Sequence, residues 1–122
     1  MLQRKEPIIK VKSEAFAIRV IKMYKYLNIQ KNEYILSKQI LRSGTSVGAN
    51  VNESRNAQST LDFINKLSIA LKEADETTYW LKCLYGGEYI IETQFKSMYN
   101  DIQEITRMLV KIVKTTKERS HK

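Results

Sequence analysis

The sequence predicts an all-α fold, an antiparallel up-down-up-down four-helix bundle, and three observations carry that prediction. The 122 residues include one proline and four glycines, too few turn signals for a strand-rich fold, which needs turns at short intervals. Apolar residues recur at spacings of three and four in four separate stretches, the mark of helices that each bury one face. The connectors between these stretches are short, so consecutive helices run antiparallel. A chain of this length builds one domain around one core, without disulfide or metal staples.

The first helix is predicted over residues 9–28, with Phe16, Val20, Met23, Tyr24 and Leu27 on its inner face. Ser13 followed by Glu14 suits a helix start, a cap with an acid in the first turn, and Ile8 to Val11 extend the pattern backward. After the polar connector "NIQKNEY", the second helix is predicted over 33–57 from Leu36, Ile40, Gly44, Val47, Val51 and Ser54. The third, over 60–85, alternates without a break through Ile64, Leu67, Leu71, Ala74, Thr78, Leu81 and Tyr85. Ser59 or Thr60 caps its start, and "GGE" at Gly86 ends it, because a glycine past the last turn takes the left-handed conformation at little cost. The fourth, over 91–116, carries Ile91, Phe95, Met98, Ile102, Ile105, Leu109 and Ile112. The tail, 117–122, has no apolar periodicity and is expected to be disordered. The sustained three-four alternation matches helices that cross at a shallow angle.

The stretch "LRSGTSVGANVNES", residues 41–54, invites a phosphate-loop reading and rejects it. A Walker loop is G-x-x-x-x-G-K-[ST], whereas Gly44 and Gly48 stand one residue too close and Ala49-Asn50 takes the place of the lysine and hydroxyl. The dinucleotide pattern G-x-G-x-x-G fails too, and no strand precedes the segment. On a helix, Gly44 and Gly48 lie one turn apart on the face that carries Ile40, Val47 and Val51, and make a thin strip for a close helix crossing. The polar neighbours Arg42, Asn50, Asn52 and Glu53 exclude membrane pairing of the G-x-x-x-G kind. Arg42, Ser46, Asn50 and Glu53 form a polar line beside the strip, either a solvated face or a semi-buried structural network; Glu73 and Glu76 of the third helix are the expected partners of Arg42.

Catalytic chemistry finds little support. His121 is the single histidine and lies in the tail, so a triad or a histidine general base held in a packed pocket is not expected. Di-iron bundles need inward Glu-x-x-His pairs, and "EADE" supplies Glu73 and Glu76 without a histidine, so no metal and no other cofactor is expected. Cys83, the only cysteine, reads as a small core or boundary residue and permits no intrachain disulfide, which suits a reducing compartment. The opening "MLQRKEPIIKVK" has no secretion-type apolar run, and no stretch approaches a membrane span, so the expectation is a cytoplasmic, non-enzymatic protein.

The formal net charge is +8, which favours contact with polyanions. That charge is sided. Arg19, Lys22 and Lys25 form one ridge on the first helix, and Arg107, Lys111 and Lys114 a second on the fourth, extended by Lys117 and Arg119; the third helix is locally acidic through Asp62, Glu73, Asp75 and Glu76. Adjacent first and fourth helices would merge the two ridges into one basic surface, which either binds phosphates with little base specificity or serves as a solvated face. Ile69 and Trp80, with Glu73, Glu76 and Cys83, lie off the main seam of the third helix and mark a second contact, within the bundle or between copies of the chain.

"LSKQILRSGTSVGANVNES" followed by "DFINKLSIALKEADETTYWL" resembles the four-helix-bundle proteins encoded by intervening sequences of bacterial large-subunit (23S) ribosomal RNA genes. The resemblance runs from about Phe16 to about Lys114 and is strongest from Leu36 to Leu81. It implies an antiparallel four-helix bundle, similar to the accessory variability proteins of diversity-generating retroelements, which assemble as homopentameric barrels and are thought to bind nucleic acid and a reverse transcriptase. The family brings no catalytic residues. Its signature positions here are Arg42, Gly44, Gly48, Asn50, Glu73, Glu76 and Trp80, which read equally as packing and assembly determinants. The resulting expectation is a homo-oligomer that binds nucleic acid, with a protein-interaction scaffold as the alternative.

Overall fold

Four α-helices follow one another along residues 6–120, the part of the chain that the computed structural model describes: α1 (Ile8–Lys31), α2 (Leu36–Ser54), α3 (Thr60–Gly86) and α4 (Glu92–Ser120). Each packs on the next in sequence, and α4 returns beside α1, while the diagonal pairs do not touch. This is the all-α, antiparallel four-helix bundle that the spacing predicts. The contact of α4 with α1 is the thinnest of the four, so shallow pockets open along that side.

The core is a column of side chains from all four helices, with Phe16, Leu27, Ile40, Leu67, Leu81 and Ile105 among its largest fully buried members. Burial of each such side chain contributes roughly 1.5 to 3 kcal/mol. On α3 the buried line differs from the predicted one: Ala70, Thr77 and Leu84 are buried with Leu67, Ala74 and Leu81, whereas Ile64, Leu71 and Thr78 are half-buried and Tyr85 is exposed. A helix wedged between two neighbours buries a wide face, and the small residues Ala70, Ala74 and Thr77 sit where space is tightest. Thr77 Oγ1 lies 2.9 Å from Ser43 Oγ of α2 and donates to the Glu73 carbonyl at 2.8 Å.

The glycine strip sets the approach of α2 to α1. A Cβ on Gly44 would stand 2.7 Å from Val20 Cγ2, and one on Gly48 would stand 3.1 Å from the Ser13 carbonyl oxygen. Ser13 is therefore an interior helical residue, fully buried, and not the predicted cap. The helix instead starts after Pro7, whose carbonyl accepts from the N–H groups of Lys10 and Val11 at 3.0 and 3.2 Å; proline's fixed φ suits the chain's entry into a helix.

Several ends depart from the sequence reading. Helix α1 runs on to Lys31 and stops at Asn32, which adopts the left-handed conformation at φ 51°. Helix α2 starts at Leu36 rather than near 33, because Glu33 turns back on it: the carboxylate accepts from the N–H groups of Ile35, Leu36 and Ser37 at 3.2, 3.1 and 2.7 Å. A carboxylate there answers both the unpaired donors and the positive end of the helix dipole. Ser59 caps α3, accepting from the Asp62 N–H at 3.0 Å. At the other end of α3 the left-handed residue is Glu88, at φ 67°, and no described glycine has positive φ. Gly87 is needed there for space, since its Cβ would lie 3.0 Å from the Cys83 carbonyl oxygen. Residues 117–120 of the expected disordered tail belong to α4, whose last turn carries Lys117 and Arg119, cations favoured at a helix C-terminus. His121 and Lys122 lie outside the described residues.

Candidate nucleic-acid interface

The register of α1 against α4 places the predicted basic residues. Lys12 Nζ reaches Glu104 at 2.9 Å, and Arg19 donates to Ser97 Oγ at 2.6 Å and to the Asp101 carboxylate. The first ridge is thus partly neutralised by acids of α4, Arg19 among its members, while Lys22 and Lys25 stay exposed. Those two lie level with the start of α4, whereas Arg107, Lys111, Lys114 and Lys117 lie near the start of α1 and beyond. At 1.5 Å per residue the two groups are roughly 25 Å apart along the bundle. They do not merge into the single surface that adjacency suggests; the Lys12–Glu104 and Arg19–Asp101 pairs stand between them.

The α4 row is a different kind of surface. Arg107, Lys111, Lys114 and Lys117 are all exposed and step by four, three and three, so they share the outer side of one helix. Among the described residues none of them has a carboxylate oxygen within 4.0 Å, while Lys10, Lys12, Arg19, Arg42, Arg55, Lys66 and Lys96 do.

The polar line of α2 divides into separate contacts. Arg42 Nη1 donates to Glu73 at 3.0 Å and Nη2 donates to Glu76, joining α2 to α3. The Arg42 guanidinium holds the Glu76 carboxyl below the usual carboxylate range, assisted by the Trp80 indole N–H at 3.4 Å, and Glu76 in turn raises Arg42. Ser46 and Asn50 bond back to their own helix, to the Arg42 and Ser46 carbonyls at 2.6 and 2.8 Å, and Glu53 pairs with Lys66 at 3.1 Å. The second face of α3 divides as well: Trp80 is half-buried against the core with Tyr79 edge-on at 5.0 Å, and Ile69 remains 44% exposed.

Three features escaped the sequence reading. Asp101 and Glu104, three apart on the α1-facing side of α4, are the acids that answer the first ridge. Tyr85, Phe95 and Tyr99 form a near-parallel stack at 4.8 and 5.3 Å across α3 and α4. A pocket of about 380 Å³ opens between α1 and α4 among Arg19, Lys22, Met23, Tyr26, Gln94 and Met98. The first two had a local signal, the spacing of the two acids and the i, i+4 spacing of Phe95 and Tyr99; the pocket brings together residues far apart in sequence. Among the described residues no cluster of three or more His, Cys, Asp or Glu side chains is arranged to hold a metal, and no helix is long and apolar enough to cross a membrane. Cys83 is half-buried.

The model of the 23S rRNA-intervening sequence protein family matches residues 5–111, nearly all of the bundle. The chain belongs to that family. A similar solved structure is a protein of unknown function from the S23 ribosomal protein family of Bacteroides thetaiotaomicron VPI-5482, 53% identical, with a TM-score of 0.87 over 88% of this chain and 99% of that one. A comparison with curated proteins gave no match. The family names no enzymatic activity, and its match spans α1, α2, α3 and α4 as far as Lys111, within the basic row.

Proposed function

We propose that this family member is a non-enzymatic, oligomeric bundle that binds structured nucleic acid through the basic row of α4. One observation carries the reading: Arg107, Lys111, Lys114 and Lys117 follow one another along the outer side of a single helix, all exposed and with no described carboxylate within reach. Unpaired cations in a row release counterions when phosphates dock, and that release drives affinity. A helix side without base-reading motifs contacts backbone and shape, so sequence preference is weak. Assembly multiplies the row, and avidity then exceeds the affinity of one copy.

Anisotropy of labelled hairpin RNA and duplex DNA, titrated at several salt concentrations, tests the reading. Wild-type affinity is expected to fall steeply with salt. Replacing Arg107, Lys111 and Lys114 together by glutamine is expected to weaken binding at low salt and to flatten the log–log slope by about 2 to 3, close to 0.9 per lost phosphate contact. An unchanged slope in the triple variant would remove the row as the site, and absence of binding at low salt would leave a protein partner as the account of this bundle.

A further inference from the structure

The shallow pocket between α1 and α4 gathers side chains of a chemistry that the basic row lacks. Met23 and Met98 are buried core side chains that form its floor, and thioethers make favourable contacts with aromatic rings. Tyr26, half-buried against the core, forms part of the wall. Gln94 is held in place, because its Oε1 accepts the Ile91 N–H at 2.9 Å at the start of α4; its amide nitrogen is left as a donor with no partner among the described residues. Lys22 stands exposed at the rim without a described carboxylate in reach, and the nearby Asp101 is answered by Arg19. The volume, about 380 Å³, falls in the range of small-molecule sites.

A soft apolar floor suits a flat polarizable ring, a fixed amide donor suits a base edge, and an unpaired ammonium at the rim suits a phosphate. We propose that this pocket takes one unpaired nucleotide of a structured nucleic acid. The proposal rests on the reading that the α4 row binds phosphates, and it gives that reading a selectivity. Row and pocket are roughly 25 Å apart along the bundle, about seven base-pair steps at 3.4 Å each; the row turns toward α3, where Lys114 and Lys117 lie beside Leu71, while the pocket opens toward α1. A stem that crosses the outer side of α4 obliquely spans both and brings its loop or an overhang to the pocket, and the bundle then distinguishes a stem with unpaired nucleotides from a blunt duplex.

Met23 and Met98 give a direct readout. With methionine methyl groups labelled with carbon-13, titration with adenosine or cytidine 5′-monophosphate is expected to shift both signals, while ribose 5-phosphate, which has no base, leaves them in place. Met108, which does not line the pocket, is the internal control. Gln94→Glu keeps an acceptor for the Ile91 N–H but replaces the amide donor by a negative charge, and is expected to weaken the nucleotide shift about tenfold; Lys22→Gln weakens it several-fold, and Tyr26→Phe retains it. In anisotropy, a hairpin is expected to bind about tenfold tighter than a blunt duplex of the same stem. Gln94→Glu brings that ratio near one with duplex affinity unchanged, whereas the triple variant of the row lowers both affinities and keeps the ratio. The hairpin preference, tested in RNA and in DNA, supports the pocket in either series, and the stronger series names the ligand. Methyl signals that stay in place with both nucleotides, or a ratio that survives Gln94→Glu, overturn the pocket whatever the row does. Shifts in a protein that binds no duplex uphold the pocket and remove the row.

Discussion

At Gly44 one missing carbon sets the distance between two helices. A Cβ there would meet Val20 Cγ2 at 2.7 Å and Cγ1 at 2.9 Å, well inside the roughly 3.5 to 4.0 Å at which carbon atoms pack. Valine in a helix has one strongly preferred rotamer, so Val20 cannot turn aside cheaply. Overpacking costs about 1 to 3 kcal/mol, more than the propensity gain of up to about 1 kcal/mol that alanine brings. Gly44→Ala is therefore expected to lose about 1 kcal/mol net in urea denaturation, against the usual sign for a helical glycine. The double variant Gly44→Ala with Val20→Ala tests the cause: it should lose clearly less than the sum of the two single losses, because the new methyl fills the space that the valine vacates. Simple additivity would place the constraint in the two backbones instead of in this pair. The glycine spacing made this contact legible in the sequence; the partner did not, since nothing local to Gly44 points to Val20.

Among the elements, α2 is the shortest at 19 residues, carries two glycines, and is tied to α3 by Arg42 on Glu73 and Glu76. Glu76 is held below the ordinary carboxylate range, first by the hydrogen bond from Arg42. A depressed folded-state pKa adds stability that is complete above the unfolded pKa and is lost as the pH falls through the folded value. The stability difference between wild type and Glu76→Gln is thus expected to be largest near neutrality and to shrink as the pH falls below the ordinary carboxylate range. Both side chains are partly exposed, at 49% and 31%, so screening keeps the difference small. A difference that does not change with pH would show that the charge of the carboxylate, held by Arg42 and by the Trp80 N–H, is not what stabilises this contact. That Arg42 meets these two acids was readable from helix periodicity and charge. The helix ends were less so, because they depend on groups whose role is set by position rather than type: Glu33 looks like part of a polar linker until its carboxylate is seen against three N–H groups. Likewise Glu88, and not a glycine, takes the left-handed turn after α3, since Gly87 is spent on a close approach to Cys83. The last turn of α4 has no apolar rhythm and still forms, carried by the helix before it and by its terminal cations.

For the molecule as a whole, the question is what the bundle leaves uncovered. Val11, Ile18 and Ile29 lie on one outer side of α1, and Leu61, Ile69 and Tyr79 are exposed on α3, the helix diagonally across the bundle. Large apolar side chains aligned on an outer face are candidates for contact with a second copy of the chain. The two faces differ in charge: Lys22 and Lys25 accompany the α1 row, whereas the α3 row has mixed charge, with Asp75 beside Lys72 and Lys82 and with Glu76 held by Arg42. Two cationic α1 faces would repel each other while the mixed α3 face does not repel α1, which favours a head-to-tail contact in which α1 of one copy meets α3 of the next, and a head-to-tail contact generates a ring when its rotation closes. Sedimentation at micromolar concentration is therefore expected to give a mass several times that of the 14.3 kDa chain. Ile18→Glu and Tyr79→Lys should each reduce it to the monomer with the helical circular dichroism unchanged, because one substitution on either face breaks every contact in a head-to-tail assembly. A two-fold contact of α1 with α1 predicts otherwise: Ile18→Glu dissociates the assembly and Tyr79→Lys leaves it intact. A wild-type protein that sediments as a monomer would overturn assembly through these faces altogether, and would leave the row of α4 to bind with the affinity of a single copy.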